Sequence, residues 1–489
     1  MTSRRVVTVS VSILAALYAA AFLVCVAARL TFGFELAWLE SGMQAMTARL
    51  AAHQSMYVAP SPSYVPFIYP PLYYVAAHGI ERLAPALAGA PALRLVSLAS
   101  TLATLAVLWR CLARGGASPR LRLVLGALYL SFYGRFEYWH DTSRVDSLFV
   151  LLFFASAALL VEGTSLRSAL GAGALGGLAI LTKQPAVPLL LGCGAVVLYT
   201  TRKQARVLAA LGVACASATA GLAAMGELGN QWLYYYVVQV PATHPLMARN
   251  LGKGVAFVVG TMPLFLLAAA LSLRARTRAR VEPTTPIPLS DDKPWRWTLV
   301  FAVSTMIMLA LRLKQGASLN FFLPIVPLGI VVAAPALARL GARRAEPLLL
   351  GQLLIVVYNP LASIPTAQDW RAGFDLLGAA RRAGRCLPAA VPVVSGAGGQ
   401  GSGGARRGGV RPGGVATGPD AGDRRSARRR TLRRRHLLAR RTGPGTLPPR
   451  PVAAALPQRG PAADGRRVLL QRSSHEAGWR LPLRRPRRG

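Results

Sequence analysis

Charged side chains at the edges of apolar segments are costly unless something uses them, and this chain places several there. The stretch "FELAWLESGMQAMTARL" sets Glu40 just past the first apolar segment, beside Trp38 and Gly42, with Glu35 a few residues nearer the segment. Between two later apolar stretches, "RFEYWHDTSRVDSLF" concentrates Arg135, Glu137, His140, Asp141, Arg144 and Asp146, and an uncharged run follows Asp146 at once. Lys183 lies in "LAILTKQPAVPLLL", His244 and Arg249 in "YYYVVQVPATHPLMARN", and Arg312, Lys314 and Asn320 in "RLKQGASLNFFLP". Singly, each has an ordinary explanation: a solvated helix end, an exposed ion pair of little energetic weight, or a lysine that snorkels to the surface. Together they gather acids, cations and aromatics on one side of the apolar segments. A sugar carried on a lipid phosphate needs such a set. Its tail lies in the bilayer, its interfacial phosphate calls for Arg or Lys, and transfer to an acceptor hydroxyl calls for a carboxylate as general base across the anomeric carbon.

The elements that must position these groups are membrane spans. The 489 residues are 53% hydrophobic with a mean hydropathy of +0.39, and a soluble globular reading fails against the recurring long apolar runs. Segments 6–30, 95–113, 147–161, 184–200, 205–226, 254–273, 297–311, 319–337 and 347–366 approach or reach spanning length, and 121–138 and 167–182 are weaker candidates, giving about eleven spans. The first, after Arg4 and Arg5, reads as an uncleaved anchor rather than a signal peptide, because it is long and many spans follow. The five cysteines (Cys25, Cys111, Cys193, Cys215, Cys386) are scattered without a CxxC pair, so neither a disulfide framework nor a metal knuckle is expected.

Residues 65–82, "VPFIYPPLYYVAAHGIER", are apolar yet interrupted by three prolines. Read as a span, they would put the basic loop "WRCLARGGASPRLR" outside, against the positive-inside rule. Read as non-spanning, they belong to a long first outer loop, 31–90, and form a short helix at the membrane face. Pro70 and Pro71 then stand in the first turn, and Tyr64, Tyr69, Tyr73 and Tyr74 form an interfacial aromatic belt. The N-terminus is then cytoplasmic, and Glu40, Asp146, Lys183, His244 and Lys314 share the outer face of the cytoplasmic membrane.

An acid after the first span, a downstream "YPPLYY", the "RVD" of the second outer loop, "LTKQ" and a late "NFFLP" resemble the GT-C membrane glycosyltransferases. The nearest group is the bacterial enzymes related to protein O-mannosyltransferases (glycosyltransferase family 39) and the aminoarabinose transferase of lipid A. The resemblance covers residues 1–392. It implies an all-α polytopic GT-C fold and inverting transfer of a sugar from a polyprenyl-phosphate donor to a lipid, polysaccharide or protein acceptor. Residue by residue, Glu40 matches the first-loop acid proposed as catalytic base, with Glu35 as fallback, and Asp146 matches the second-loop acid that orients acceptor or base. Arg144 and Lys183 match the groups that hold the donor phosphate, with Tyr69, His140, His244 and Lys314 as further substrate contacts. "YPPLYY" would roof the donor site. Some members of the group need a divalent cation, which stays open here, and no metal ligands are assigned.

The expected division is a catalytic membrane module over 1–366, the beginning of an outer α/β domain over 367–395 with an amphipathic helix at 369–383, and an Arg/Gly/Pro-rich region over 396–489. Much of the formal charge of +39 lies in that last region: residues 401–489 hold 23 arginines, no lysine and four acids. This bias fits a GC-rich gene read out of frame from about codon 393; a disordered basic tail is the alternative. No nucleic-acid partner is expected, since the tail falls outside. A transporter or lipid flippase is the competing class, disfavoured because no internal repeat or mid-membrane ionisable group stands out. A membrane scaffold without catalysis is the third.

Overall fold

A computed structural model describes residues 3–281 and 293–382. Among them are sixteen α-helices and no β-strand longer than an isolated bridge. The region expected at 396–489, and the part of the expected α/β domain beyond residue 382, lie outside the described residues.

The chain is a multi-pass membrane protein. Five helices are long and apolar enough to cross a membrane, six if one bent pair counts as a span. Every expected span falls on a helix. In chain order these are α1 (Ser3–Leu30), α4 (Ala90–Arg114), α5 (Pro119–Ser131), α6 (Asp146–Glu162), α7 (Leu166–Ile180), α8 (Ala186–Thr201), α9 (Gln204–Ala224), the pair α12 (Ala248–Thr261) and α13 (Pro263–Val281), α14 (Lys293–Arg312) and α15 (Ile325–Ile355). Ser118 and Ser165 cap α5 and α7 by accepting from the backbone N–H groups of Leu121 and Ser168, so the short loops before these helices carry their own start signals.

Two expected spans differ from continuous helices. Segment 254–273 bends by 82° between α12 and α13, because Pro263 lacks an N–H and forces Met262 out of the helical region. The buried Gln352 answers the freed backbone on both sides: Leu264 N–H donates to its Oε1 at 3.1 Å, and its Nε2 donates to the Thr261 carbonyl at 2.8 Å. In α15, which joins the segments expected at 319–337 and 347–366, Gly341 has φ of 68° and breaks the helix where only glycine sits without strain.

The stretch 31–89 between α1 and α4 is a packed layer. It contains α2 (Glu40–Ala51) and α3 (Leu72–Leu83), and beneath them Met43, Met46, Met56, Tyr57, Tyr73, Tyr74 and Ala77 form a core of their own with Leu93, Val96, Val145 and Tyr236. Each fully buried methionine there contributes about 1.5–3 kcal/mol. The short helix after the prolines is present, but the aromatic belt is not as expected. Tyr73 and Tyr74 are wholly buried, and the Tyr73 hydroxyl lies 2.7 Å from the Leu93 carbonyl and 2.9 Å from the Ser97 hydroxyl. A helix that packs by one face on α4 turns these rings inward instead of toward lipid. Two contacts fix its position: Leu72 N–H donates to the Leu181 carbonyl at 2.9 Å, and Gly42 lets the Phe67 ring lie directly on α2, where a Cβ would come within 1.9 Å of it.

Replacing Gln352 with leucine should leave the Thr261 carbonyl and Leu264 N–H buried without partners, at about 1–3 kcal/mol each. The expected outcome is a clearly lower melting temperature of the purified protein in detergent; an unchanged one would show that the bend holds without this side chain.

Candidate active site

The loop between α5 and α6 is where the charged residues meet. It leaves α5 through a short turn at Phe132–Phe136, passes Glu137 and Tyr138 in left-handed conformation (φ 53° and 62°), and ends where Asp146 opens α6. A carboxylate in the first turn of a helix is favoured by the helix dipole. Asp146 Oδ1 accepts from Lys183 Nζ at 2.6 Å and from Asn320 Nδ2 at 2.8 Å. Lys183 comes from the turn between α7 and α8, and Asn320 from the turn before α15, so three distant parts of the chain converge on one carboxylate. All three side chains are buried, as is Arg144. The lysine is thus not a snorkelling end group: one of its three N–H donors makes a buried ion pair with Asp146, and it is ringed by Phe321 at 5.1 Å, Tyr69 at 5.9 Å and Phe149 at 6.0 Å.

Arg144 is held differently. Its guanidinium lies 3.5 Å over the Trp139 ring, and its Nε is 3.6 Å from Asp146 Oδ2, too far for a hydrogen bond. Among the described residues the guanidinium donates no hydrogen bond, and Asp146 Oδ2 and Asn320 Oδ1 are buried without partners. Two cations and one anion leave this cluster with a formal charge of +1. A guanidinium that donates no hydrogen bond, with its Nε buried, fits a monoanion presenting several oxygens.

Glu40 is buried and fully engaged. Its Oε1 accepts from Arg94 Nε at 3.1 Å and Ser143 N–H at 2.8 Å, and its Oε2 from Arg94 Nη2 at 2.6 Å and Leu36 N–H at 2.8 Å. A carboxylate offers about four acceptor positions, so these donors fill it. Burial alone would raise its pKa; the fork of Arg94 and the two backbone donors hold it below the usual range. Arg94 also donates to the carbonyls of Arg29, Phe32 and Phe34, at 3.0, 2.5 and 2.7 Å. Arg29 in turn holds Asp141, Nε to Oδ2 at 3.0 Å, and the Tyr133 hydroxyl donates to the same oxygen at 2.8 Å. Two buried ion pairs, Arg94–Glu40 and Arg29–Asp141, therefore close a ring through the backbone of residues 141–143. This ring sets where Arg144 and Asp146 begin.

Of the expected site residues, the structure brings together Asp146, Arg144, Lys183 and Tyr69, and ties Glu40 to them through Ser143. Glu35 instead caps the start of α2, accepting from Ser41 N–H at 2.6 Å. His140 points away: its ring packs against Tyr129 at 5.5 Å and Tyr133 at 5.7 Å. Burial pushes its pKa down to about 3, so it carries no charge for a phosphate near neutral pH. His244 and Lys314 lie on a separate clasp between the loops before α12 and after α14, where Leu246 bridges Lys314 and Lys314 Nζ donates to the Pro241 carbonyl at 2.8 Å. Among the described residues no hydrogen bond or ion pair joins either to the Asp146 cluster; the clasp spends the ammonium that the sequence offered to a substrate. Among those residues no three His, Cys, Asp or Glu side chains gather to hold a metal ion.

The sequence reading missed Arg94, Trp139 and the bond from Asn320 to Asp146. Arg94 carried a signal, a charge at the mouth of an apolar segment, but nothing local pairs it with an acid 54 residues earlier.

Comparisons place this arrangement. No protein-family profile matches the chain, and no curated protein matches it. Among solved structures it is similar to ArnT from Cupriavidus metallidurans bound to undecaprenyl phosphate, at 15% identity and a TM-score of 0.52 over 70% of this chain and 63% of that one. It is similar to the same protein in the apo state at 16% identity and 0.52, over 69% and 62%. The chain thus spans less than two thirds of the length of these proteins. The likeness is one of fold: the described part of the chain shares the helical membrane-protein fold of these solved structures.

Proposed function

We propose that this chain is a GT-C membrane glycosyltransferase that moves a hexosyl or pentosyl group from a polyprenyl-phosphate donor to an acceptor hydroxyl on a lipid, polysaccharide or protein. The reaction takes place at the outer face of the cytoplasmic membrane, with the N-terminus inside and about eleven crossings. The observation that carries this reading is Arg144, buried on Trp139 with its hydrogen-bonding capacity unspent beside Lys183. The net charge of +1 in the cluster matches the single negative charge of a phosphodiester. As the bond from the anomeric carbon to the phosphate oxygen breaks, a second negative charge develops on the leaving phosphate. Donors already fixed in a water-poor site stabilise that charge without reorganising. Asp146 is the counter-charge that holds Lys183 in place. Among the described residues its Oδ2 and Asn320 Oδ1 accept no hydrogen bond and offer acceptors to hydroxyls, and Asp146 Oδ2 is the carboxylate oxygen left to take the proton released as the acceptor oxygen bonds to the anomeric carbon.

Glu40 receives a different role from the one its position in the sequence suggested. With all four acceptor positions filled, it anchors Ser143 and hence Arg144; as a base it would have to exchange one of those donors for the acceptor hydroxyl. The solved neighbour bound to undecaprenyl phosphate supports a polyprenyl-phosphate partner in the same fold. The bent α12–α13 pair would suit a transporter, but a neutral glutamine fills that break, and the buried charges lie in the outer loops.

The direct test is transfer of radiolabelled sugar from a panel of polyprenyl-phosphate sugars, using membranes with matched amounts of each variant. Losing charge-assisted hydrogen bonds worth about 1.5–3 kcal/mol should lower transfer roughly 10- to 100-fold in Arg144→Met; undiminished transfer would overturn the assignment. For Glu40→Gln the expected outcome is a lower melting temperature together with lower transfer, since an amide N–H₂ replaces an acceptor that two donors face. Unchanged stability with transfer lost would restore Glu40 as the base. Because the folded pKa of Glu40 lies below its unfolded value, its stabilisation is present above the ordinary glutamate pKa and lost as pH falls through the lower one. Wild type should therefore lose more stability than Glu40→Gln on acidification.

A further inference from the structure

The C-terminal segment of the described chain touches the ion-pair ring at two points. The Ser363 carbonyl accepts from Arg29 Nη1 at 3.1 Å. Beyond it, α16 (Ala367–Arg382) starts with its own cap: Thr366 N–H donates to Asp369 Oδ2 at 2.7 Å, and Asp369 N–H donates to Thr366 Oγ1 at 3.3 Å. The helix then lays Trp370 and Phe374 on the first outer loop. Trp370 lies 4.9 Å from Phe32 and 5.8 Å from Phe34, and Phe374 lies 5.3 Å from Phe34, all edge to face. Gly373 makes this approach possible, since a Cβ there would stand 2.4 Å from the Phe34 ring. Phe32 and Phe34 are the residues whose carbonyls Arg94 holds. The segment before Glu40 is therefore gripped from one side by Arg94 and from the other by α16.

We propose that α16 is a working part of the site rather than the first element of a separate outer domain, with Trp370 and Gly373 as positioning residues for Arg144. The path runs through named contacts: Trp370 sets Phe32 and Phe34, their carbonyls set Arg94, Arg94 sets Glu40, and Glu40 fixes the Ser143 N–H next to Arg144. A loop of nine residues between α1 and α2 has little else to hold it on its outer side, and aromatic pairs of this geometry are favourable beyond their area. The catalytic meaning of the path rests on the proposed transferase reading; the path itself does not.

The test is hydrogen exchange of the full chain in lipid nanodiscs, read at the amides of Leu36 and Ser143, both of which donate to Glu40. Trp370→Ala should speed exchange at both amides by about tenfold, Trp370→Phe should largely restore protection, and Leu376→Ala on the exposed face of α16 should leave both amides as in wild type. Gly373→Ala, which presses a methyl on Phe34 while keeping every ring, should give the same pattern and stands in if Trp370→Ala fails to fold. Faster exchange confined to residues 366–382 would overturn the proposal. A parallel transfer assay should show a lower kcat for Trp370→Ala with the donor KM unchanged. Absence of transfer by the wild type would count against the proposed reaction, while the exchange result would still decide the role of α16.

Discussion

A charge taken out of water must be answered, and the site is organised by how each of its charges is answered. Glu40 and Asp141 are paired by arginines, Asp146 by a lysine and an amide through one oxygen, and Lys183 by Asp146 and three aromatic rings, while Asp141 Oδ1 and Asp146 Oδ2 accept no hydrogen bond among the described residues. Arg144 is the cation in this group that donates no hydrogen bond, supported by the face of Trp139 and a carboxylate too distant to bond. Breaking either closed pair would leave a buried charge uncompensated, at about 3–5 kcal/mol. The ring of Arg94–Glu40 and Arg29–Asp141 is thus a rigid collar on residues 141–143, and Arg144 is the next residue along.

The collar explains features of the fold that local propensity does not. The stretch 31–89 packs as a layer because α2 must bring Glu40 to Arg94, and Phe67 on Gly42 with Leu72 on Leu181 bring Tyr69 beside Lys183. Left-handed backbone at Glu137 and Tyr138 turns the second loop so that Trp139 lies under Arg144 while His140 enters the aromatic core. That residues so far apart in the chain meet at Asp146 is a matter of helix packing: α6, the turn into α8 and the turn into α15 end at the same level.

The helices were legible because hydropathy reports the solvent an element faces: each segment expected to span carries a helix, and five or six of these helices are long and apolar enough to cross a membrane. The motifs "RVD", "LTKQ" and "NFFLP" pointed to residues that do converge, through Asp146, Lys183 and Asn320. Which charges were already spent was not legible. Glu40 and Arg94 pair across the loop and the sequence between them, Lys314 is taken by a carbonyl, and His140 is neutralised by burial. Each fact depends on three-dimensional neighbours that composition and spacing do not encode. The break at Met262 was also hidden, since "GTMPLF" reads as apolar as its flanks and only the proline marks it.

The central claim is that the unspent guanidinium of Arg144 is the seat of the donor phosphate. The most direct measurement is a cryo-electron microscopy structure of the full chain in nanodiscs with polyprenyl phosphate. The account predicts phosphate oxygens within hydrogen-bonding distance of Arg144 and Lys183, with the Glu40–Arg94 pair intact. A phosphate seated elsewhere, with Arg144 still unbonded on Trp139, would contradict it.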